Sequence, residues 1–164
     1  MTENQYLIFG IDPGLHTGIA FYNLADSKFI TLATLKIHNA LEIVERYIPL
    51  LSRVIVEDAR KWNMFGKDPK RAAMMAQGTG SAKRDAKIWE DYLKDRQLCY
   101  MMKRPTKKMT KMNKLEFELK TGYIGRTSQH SRDAACLILH YLSTKEGKKH
   151  VSDYNRLVSD KEVV

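Results

Sequence analysis

The sequence predicts an α/β fold in which a mixed five-stranded sheet carries helices on both faces. Three apolar segments near the start follow one another with only tight turns between them, and two later ones are separated by segments of helical periodicity. Strands joined by tight turns pair antiparallel, whereas strands joined through helices are usually parallel. We therefore expect strands 1–3 to be antiparallel and strands 4 and 5 to be parallel.

The predicted strands are bounded by residues that favour turns. Pro13-Gly14 ends the first strand, and Ala25-Asp26-Ser27 separates the second from the third. The segment RVIVE is a nearly continuous apolar run, which is typical of a strand buried on both faces. The strands are expected over residues 5–12, 17–24, 28–37, 53–57 and 98–102.

Helical spacing and capping residues predict four helices. Pro69 suits the first turn of the second helix, and Gly122 is placed to end the third. Thr127 and Ser128 are candidate caps at the start of the fourth. The helices are expected over residues 39–48, 69–95, 113–121 and 129–142.

Length and composition exclude several classes of protein. With 164 residues, the chain is long enough for one domain (residues 1–164), and we expect its core over about 5–143 and a loosely held polar tail over 144–164. No apolar run approaches the roughly 18 residues of a membrane span, and the polar start is not a secretory signal. Cys99 and Cys136 are too few and too far apart for a disulfide framework or a zinc site. We expect both to be buried, and the protein to be cytoplasmic.

The net charge of +9 is concentrated in the middle of the chain. Residues 58–126 contain 18 Lys and Arg against 8 Asp and Glu, whereas the rest of the chain contains 10 against 11. A concentrated basic region favours a polyanion, because binding releases counterions from nucleic acid. The alternative is that these charges only keep the surface soluble.

Two carboxylates end apolar strands. Asp12 closes the first strand on the face that also carries Ile8 and Gly10, and Glu57 closes the buried fourth strand. A carboxylate at the end of an apolar strand is costly unless it meets a cation or hydrogen-bond donors. If the two strands are neighbours, both carboxylates lie at the same edge of the sheet.

His130 and Asp133 lie in the first turn of the last helix, three residues apart and therefore on one face. Ala134 and Ala135 are small enough for this helix start to approach the sheet closely. With the two strand-end acids, this pair forms a ligand set suited to hard divalent cations, and two such ions can clamp a phosphodiester. Singly, each acid also has a structural explanation, as a turn residue, a solvent-facing charge or a complement to the helix dipole.

Four motifs carry a family resemblance, which covers roughly residues 6–143. They are, in chain order, Gly10-Ile11-Asp12-Pro13-Gly14 with Thr17-Gly18, then Val56-Glu57, then Ala76-Gln77-Gly78 with Gly80 and Ala82, and finally His130-Ser131-Arg132-Asp133-Ala134-Ala135. In this order they resemble the RuvC-type Holliday-junction resolvases. The resemblance implies an RNase H-like fold and a DNA endonuclease that nicks branched DNA, such as Holliday junctions or forks, in recombination, repair or replication.

The resemblance also implies which residues act. It assigns Asp12, Glu57, His130 and Asp133 as the ligands of two Mg²⁺ or Mn²⁺ ions that hydrolyse the phosphodiester.

Lys108 and Lys114 fall near family lysines that act close to the scissile phosphate, and Lys107 or Lys111 fits the same place. A lysine there would neutralise charge that develops in the transition state, or it would only add affinity for phosphate.

The loop between Asp58 and Pro69 departs from the family and combines aromatic with basic residues. The family enters the junction here with an aromatic wedge, so the resemblance implies that Trp62 or Phe65 stacks on an unpaired base. The alternative is that one ring packs on the core. The residues expected to contact DNA are Arg60, Lys61, Trp62, Phe65, Lys67, Lys107 and Lys111. The divergent loop in so compact a chain suits a phage-encoded member that acts in the host cytoplasm.

Two symmetric nicks in a four-way junction require two active sites related by a two-fold axis, so the resemblance implies a homodimer. The candidate interface is a small apolar stretch of the long helix, although the same stretch could pack on the sheet. Its residues are Ala72, Ala73, Met74, Met75, Ala76 and Gly78. The sequence does not indicate whether a branch-migration helicase is a partner.

Two alternatives stay open: a ribonuclease that cuts RNA–DNA hybrids, and a non-catalytic nucleic-acid-binding module of the same fold. The basic aromatic loop and the last motif favour the DNA endonuclease over the ribonuclease. A binding module does not need an acidic cluster beside a polyanion.

The basic middle of the chain makes DNA binding dependent on salt. With roughly six phosphate contacts, affinity is expected to fall about a thousandfold between about 50 and 200 mM salt. A titration of labelled duplex and junction DNA at several salt concentrations measures this slope. A nearly flat titration would show that the basic excess serves solubility alone.

Overall fold

The computed structural model describes residues 4–61, 69–105 and 112–160, with the backbone alone over 69–79. The strands are β1 (Leu7–Asp12), β2 (His16–Asn23), β3 (Lys28–Lys36), β4 (Leu51–Glu57) and β5 (Tyr100–Lys103). The helices are α1 (Ile37–Tyr47), α2 (Pro69–Asp95), α3 (Lys114–Thr121), α4 (Gln129–Ser143) and α5 (Lys145–Ser159), and short 3-10 helices over Ile48–Leu50 and Ala59–Lys61 flank β4. Within these ranges no helix is long and apolar enough to cross a membrane.

The five strands form one mixed sheet in the order β3-β2-β1-β4-β5, which confirms the predicted α/β class. β2 pairs antiparallel with both β1 and β3, and β4 pairs parallel with both β1 and β5. The expected division into strands 1–3 antiparallel and strands 4–5 parallel is therefore incomplete, because the central strand β1 belongs to both patterns. Its parallel pairing with β4 brings the carboxyl ends of these two strands to the same edge of the sheet.

Helices cover both faces of the sheet, as the sequence predicts. On one face, side chains of β1 and β4 pack with α1 and with Trp89 and Leu93 of α2. On the other face, Ile8 and Ile55 pack with α4, and Phe117 of α3 and Tyr154 of α5 belong to the same buried cluster. Successive strand residues point to opposite faces, so Asp12 and Glu57 lie on the face that carries α4.

The start of α4 rests directly on the backbone of β1 and β2. A Cβ atom at Gly10 would lie 2.3 Å from the carbonyl oxygen of Ala134, and one at Gly18 would lie 2.1 Å from that of His130. Any larger residue at either position must push the helix off the sheet. The close approach expected from small residues on α4 is therefore completed by two glycines on the sheet side.

The prediction of a loosely held tail over 144–164 is wrong for most of its length. Residues 145–159 form α5. Thr144 caps its start, because the Thr144 side chain accepts a hydrogen bond from the Gly147 backbone N–H. His150 and Tyr154 are buried, and Tyr154 belongs to the core cluster on the α4 face. Polar residues dominate this segment, but its few apolar side chains recur every three or four residues and so form one buried face.

The two cysteines differ in exposure. Cys136 is buried in α4, as expected, whereas Cys99 is exposed just before β5. The expectation for Cys99 fails because this residue precedes the strand. Its backbone carbonyl accepts a hydrogen bond from Val54 N–H, but its side chain is exposed.

Gly18→Ala tests the contact between α4 and the sheet. We expect the free energy of unfolding to fall by about 1–3 kcal/mol or more, because the new methyl group meets a backbone carbonyl that cannot move independently. Gly80→Ala is the matched control, since no described atom lies within 4 Å of a Cβ at this helical position. The control should raise stability by about 0.5–1 kcal/mol, because Ala favours a helix over Gly. Denaturant unfolding measures both, and a Gly18→Ala protein as stable as the parent would contradict the close contact.

Candidate functional site

Asp12 and Glu57 end two neighbouring parallel strands. Ile11 pairs with Val56 across β1 and β4, so the two acids are the next residues on adjacent strands. Both side chains lie on the α4 face, at the edge where each strand gives way to a loop. β1 and β4 are thus neighbours, which is the condition under which the sequence predicts the two acids at one edge.

The first turn of α4 brings His130 and Asp133 to this edge. Ser128 caps the helix in a reciprocal capping box with Ser131, which confirms the predicted start. His130 Nδ1 lies 2.8 Å from Asp12 Oδ2, and Gln129 Nε2 donates a hydrogen bond of 2.7 Å to Asp133 Oδ1. The four residues singled out in the sequence therefore lie at the same edge of the sheet.

Burial and neighbouring negative charge raise the proton affinity of two of these carboxylates, Asp12 and Glu57. Burial raises the pKa of Asp12 to about 6, although the hydrogen bond and charge of His130 act to lower it, and the charge of Asp133 adds to the rise. Burial, together with the charges of Asp12 and Asp133, raises the pKa of Glu57 to about 7. Concentrated negative charge of this kind is relieved either by protons or by a cation.

The chemistry of this donor set suits a hard divalent cation. Three carboxylates supply oxygen ligands, which Mg²⁺ and Mn²⁺ prefer, and their mutual repulsion falls when a cation lies between them. Among the described residues no three His, Cys, Asp or Glu side chains are already gathered as a bound ion requires. Asp12 Oδ2 contacts His130 and Asp133 Oδ1 contacts Gln129 instead.

Arg60 and Lys61 follow the acidic edge and are held by intramolecular contacts. Arg60 donates to both oxygens of the buried Asp58, at 2.7 and 3.0 Å, and to Glu90 of α2 at 2.6 Å. Lys61 donates to the carbonyl oxygen of Met102 at 2.7 Å. Burial works against ionisation of Asp58, but the hydrogen bonds and charge of Arg60 hold its pKa below the usual range. These contacts hold the segment that follows β4 in place. Contact of Arg60 and Lys61 with DNA stays a prediction.

Several other predicted site residues lie outside the described residues. They are Trp62, Phe65, Lys67, Lys107, Lys108 and Lys111. The side chains of the candidate dimer stretch 72–78 also lie outside the described part of the chain. Lys114 is described, and its ammonium lies at the exposed start of α3, 3.5 Å from Glu118.

Lys103 was not predicted from the sequence as a site residue. It pairs with Glu57 across β4 and β5, so a lysine stands beside the acidic edge on the neighbouring strand. The available signal was that β5, like β4, is joined through a helix, which predicts parallel pairing and a shared carboxyl edge. A cation next to the carboxylates suits contact with a phosphate held there.

Comparison of the chain with protein-family models and with curated proteins found no match. The proposed role of this site therefore depends on its residues and their geometry.

The raised pKa values make the stability of the metal-free protein depend on pH. In the unfolded chain both acids titrate near pH 4, so between about pH 4 and 7 the folded state binds more protons. The contribution of Asp12 and Glu57 to the free energy of unfolding therefore falls as the pH rises through this window. Glu57→Gln removes one of these charges and should gain stability over the parent between about pH 5 and 8.

Thermal unfolding in EDTA across this pH range measures the difference between the two proteins. Glu42→Gln, at an exposed position on α1, is the control and should run parallel to the parent. A Glu57→Gln curve that also runs parallel would show that Glu57 carries no raised pKa.

Proposed function

We propose that this protein is a divalent-metal-dependent endodeoxyribonuclease of RNase H-like fold that nicks branched DNA, as the RuvC-type resolvases do. The observation that carries the proposal is the presence of Asp12, Glu57 and Asp133 at one edge of the sheet, where burial and neighbouring acids raise the pKa values of Asp12 and Glu57. The basic excess of the chain favours a polyanionic partner. A cluster of half-buried acids opposes such a partner unless cations join the two.

The architecture supports the same proposal. A mixed five-stranded sheet with helices on both faces agrees with an RNase H-like fold. The resemblance to the resolvases was drawn from motifs that are far apart in the sequence, at residues 10–14, 56–57 and 130–135. Three of these motifs converge in space, and the two glycines at positions 10 and 18 have a steric role in that convergence.

Two bound Mg²⁺ or Mn²⁺ ions would activate the attacking water and stabilise the leaving oxygen of the phosphodiester. Asp12, Glu57 and Asp133 would hold them through carboxylate oxygens, with His130 as the fourth ligand by resemblance. His130 also orients the Asp12 carboxylate through the 2.8 Å hydrogen bond. Because α4 rests on backbone, these groups approach one another from rigid elements, which favours a fixed active-site geometry.

Lysines close to the acidic edge would hold the DNA backbone. Lys103 lies beside Glu57. The lysine-rich segment 106–111 lies between Pro105 and Met112, and the Met112 carbonyl accepts a hydrogen bond from Arg132, next to Asp133. A role for Lys107, Lys108 or Lys111 near the scissile phosphate rests on the resemblance, as does one for Lys114. Paired nicking of a four-way junction would then require a homodimer, acting in recombination or repair.

Asp12→Asn tests the proposed chemistry. An amide is nearly isosteric with the carboxylate but carries no charge, and each metal-held oxygen contributes several kcal/mol in the transition state. We expect normal folding and DNA binding, with nicking reduced by more than about a hundredfold. Asp95→Asn, an exposed acid at the end of α2, is the control and should nick as the parent does. Normal nicking by Asp12→Asn would remove this residue from the active site.

The substrate is tested with the parent protein. A four-way junction, a fork, a linear duplex and an RNA–DNA hybrid are each incubated with Mg²⁺ or with EDTA. Metal-dependent nicks confined to the junction and the fork are expected. Cutting of the hybrid alone would identify a ribonuclease, and binding without cutting would identify a non-catalytic module.

A further inference from the structure

A chain of hydrogen bonds runs from the backbone before α3 to the acidic cluster. Arg132 Nε donates to the carbonyl oxygen of Met112 at 2.9 Å, and Arg132 Nη2 donates to Gln129 Oε1 at 3.1 Å. Gln129 Nε2 then donates to Asp133 Oδ1 at 2.7 Å. Arg132 and Gln129, neither of which is a proposed metal ligand, thus connect this backbone to the Asp133 carboxylate.

Arg132 determines which end of the Gln129 amide faces Asp133. A guanidinium group only donates hydrogen bonds, so the amide must turn its oxygen to Arg132 and its NH₂ group to the carboxylate. Arg132 is itself fixed at a third point, because Nη1 donates to Thr127 Oγ1 at 2.9 Å. The amide therefore has one orientation, and it presents a donor to Asp133.

The start of α4 does not need Gln129. Ser128 and Ser131 form the capping box, in which the Ser128 oxygen accepts from Ser131 N–H at 3.1 Å and the Ser131 oxygen accepts from Ser128 N–H at 2.9 Å. Two backbone donors at the helix start are thereby satisfied without the Gln129 side chain. A role in capping consequently does not explain the short contact to Asp133.

We propose that Gln129 is a positioning residue that, held by Arg132, fixes the Asp133 carboxylate in the orientation in which it receives a divalent cation. As far as the cation is concerned, this inference rests on the proposed function. A carboxylate that rotates freely loses entropy when it binds an ion, and one that is already fixed does not. Partners of this kind typically change metal affinity or activity by about 10–100-fold.

Metal binding without DNA provides the test. Mn²⁺ is titrated calorimetrically into the full-length parent, Gln129→Ala, Arg132→Ala and the double variant, and melting temperatures and junction nicking are measured beside it. Asn39→Ala, which truncates an exposed amide on α1, is the matched control and should bind Mn²⁺ as the parent does.

We expect each single variant to bind Mn²⁺ about tenfold more weakly. The double variant should be no weaker than the weaker single variant, because both changes break the same chain of contacts. Gln129→Ala should keep the parent's melting temperature, since the capping box is intact. If Arg132→Ala lowers the melting temperature, Gln129→Ala alone decides.

Two results would overturn the inference while leaving the proposed function standing: parental Mn²⁺ affinity in Gln129→Ala, or losses of affinity that simply add in the double variant. A parent protein that neither binds Mn²⁺ nor nicks junctions would instead reject the proposed function, and the positioning role with it.

Discussion

The contact of one helix start with the backbone of two strands governs the rest of the structure. Gly10 and Gly18 leave no side chain between β1, β2 and α4, so backbone meets backbone. His130 and Asp133 then reach the ends of β1 and β4 with short side chains. A spacing set by backbone is more rigid than one set by long side chains, which suits a site whose groups must meet within fractions of an ångström.

The same edge of the sheet contains two carboxylates in opposite electrostatic surroundings. Asp58 is 1% exposed and fully matched by Arg60, and its pKa is lowered. Glu57, one residue earlier, lies among other acids and has a raised pKa. A protein selected only for stability would pair both acids with cations. The unmatched charge on Glu57 is a local cost of the kind that proteins accept at functional sites.

The sequence predicted elements well where periodicity and capping agreed, as for α2 and α4. It failed for α5, because this segment is polar overall and only a few apolar residues, Val151, Tyr154 and Val158, form its buried face. It also could not predict the partner of Arg60, since Glu90 lies thirty residues further along the chain. Pairing of this kind depends on how elements pack, which short-range patterns do not determine.

The site itself was predicted as a set of residues but not as a geometry. Asp12 and Glu57 were expected together only on the condition that their strands were neighbours, and the order of the strands was not predicted. The steric role of Gly18 and the place of Lys103 follow from that order. Once β1 is known to lie between β2 and β4, and β5 beside β4, both follow from the pairing of the strands and the alternation of their side chains.

The acidic cluster draws on both ends of the fold, which affects when it can exist during synthesis. Asp12 emerges from the ribosome early, but Asp133 and the helix that seats against Gly10 come more than a hundred residues later. A nascent chain with only the strands made holds two of the carboxylates and lacks the third. Assembly of the cluster therefore has to wait until α4 has been made, and a chain that stops before α4 does not contain it.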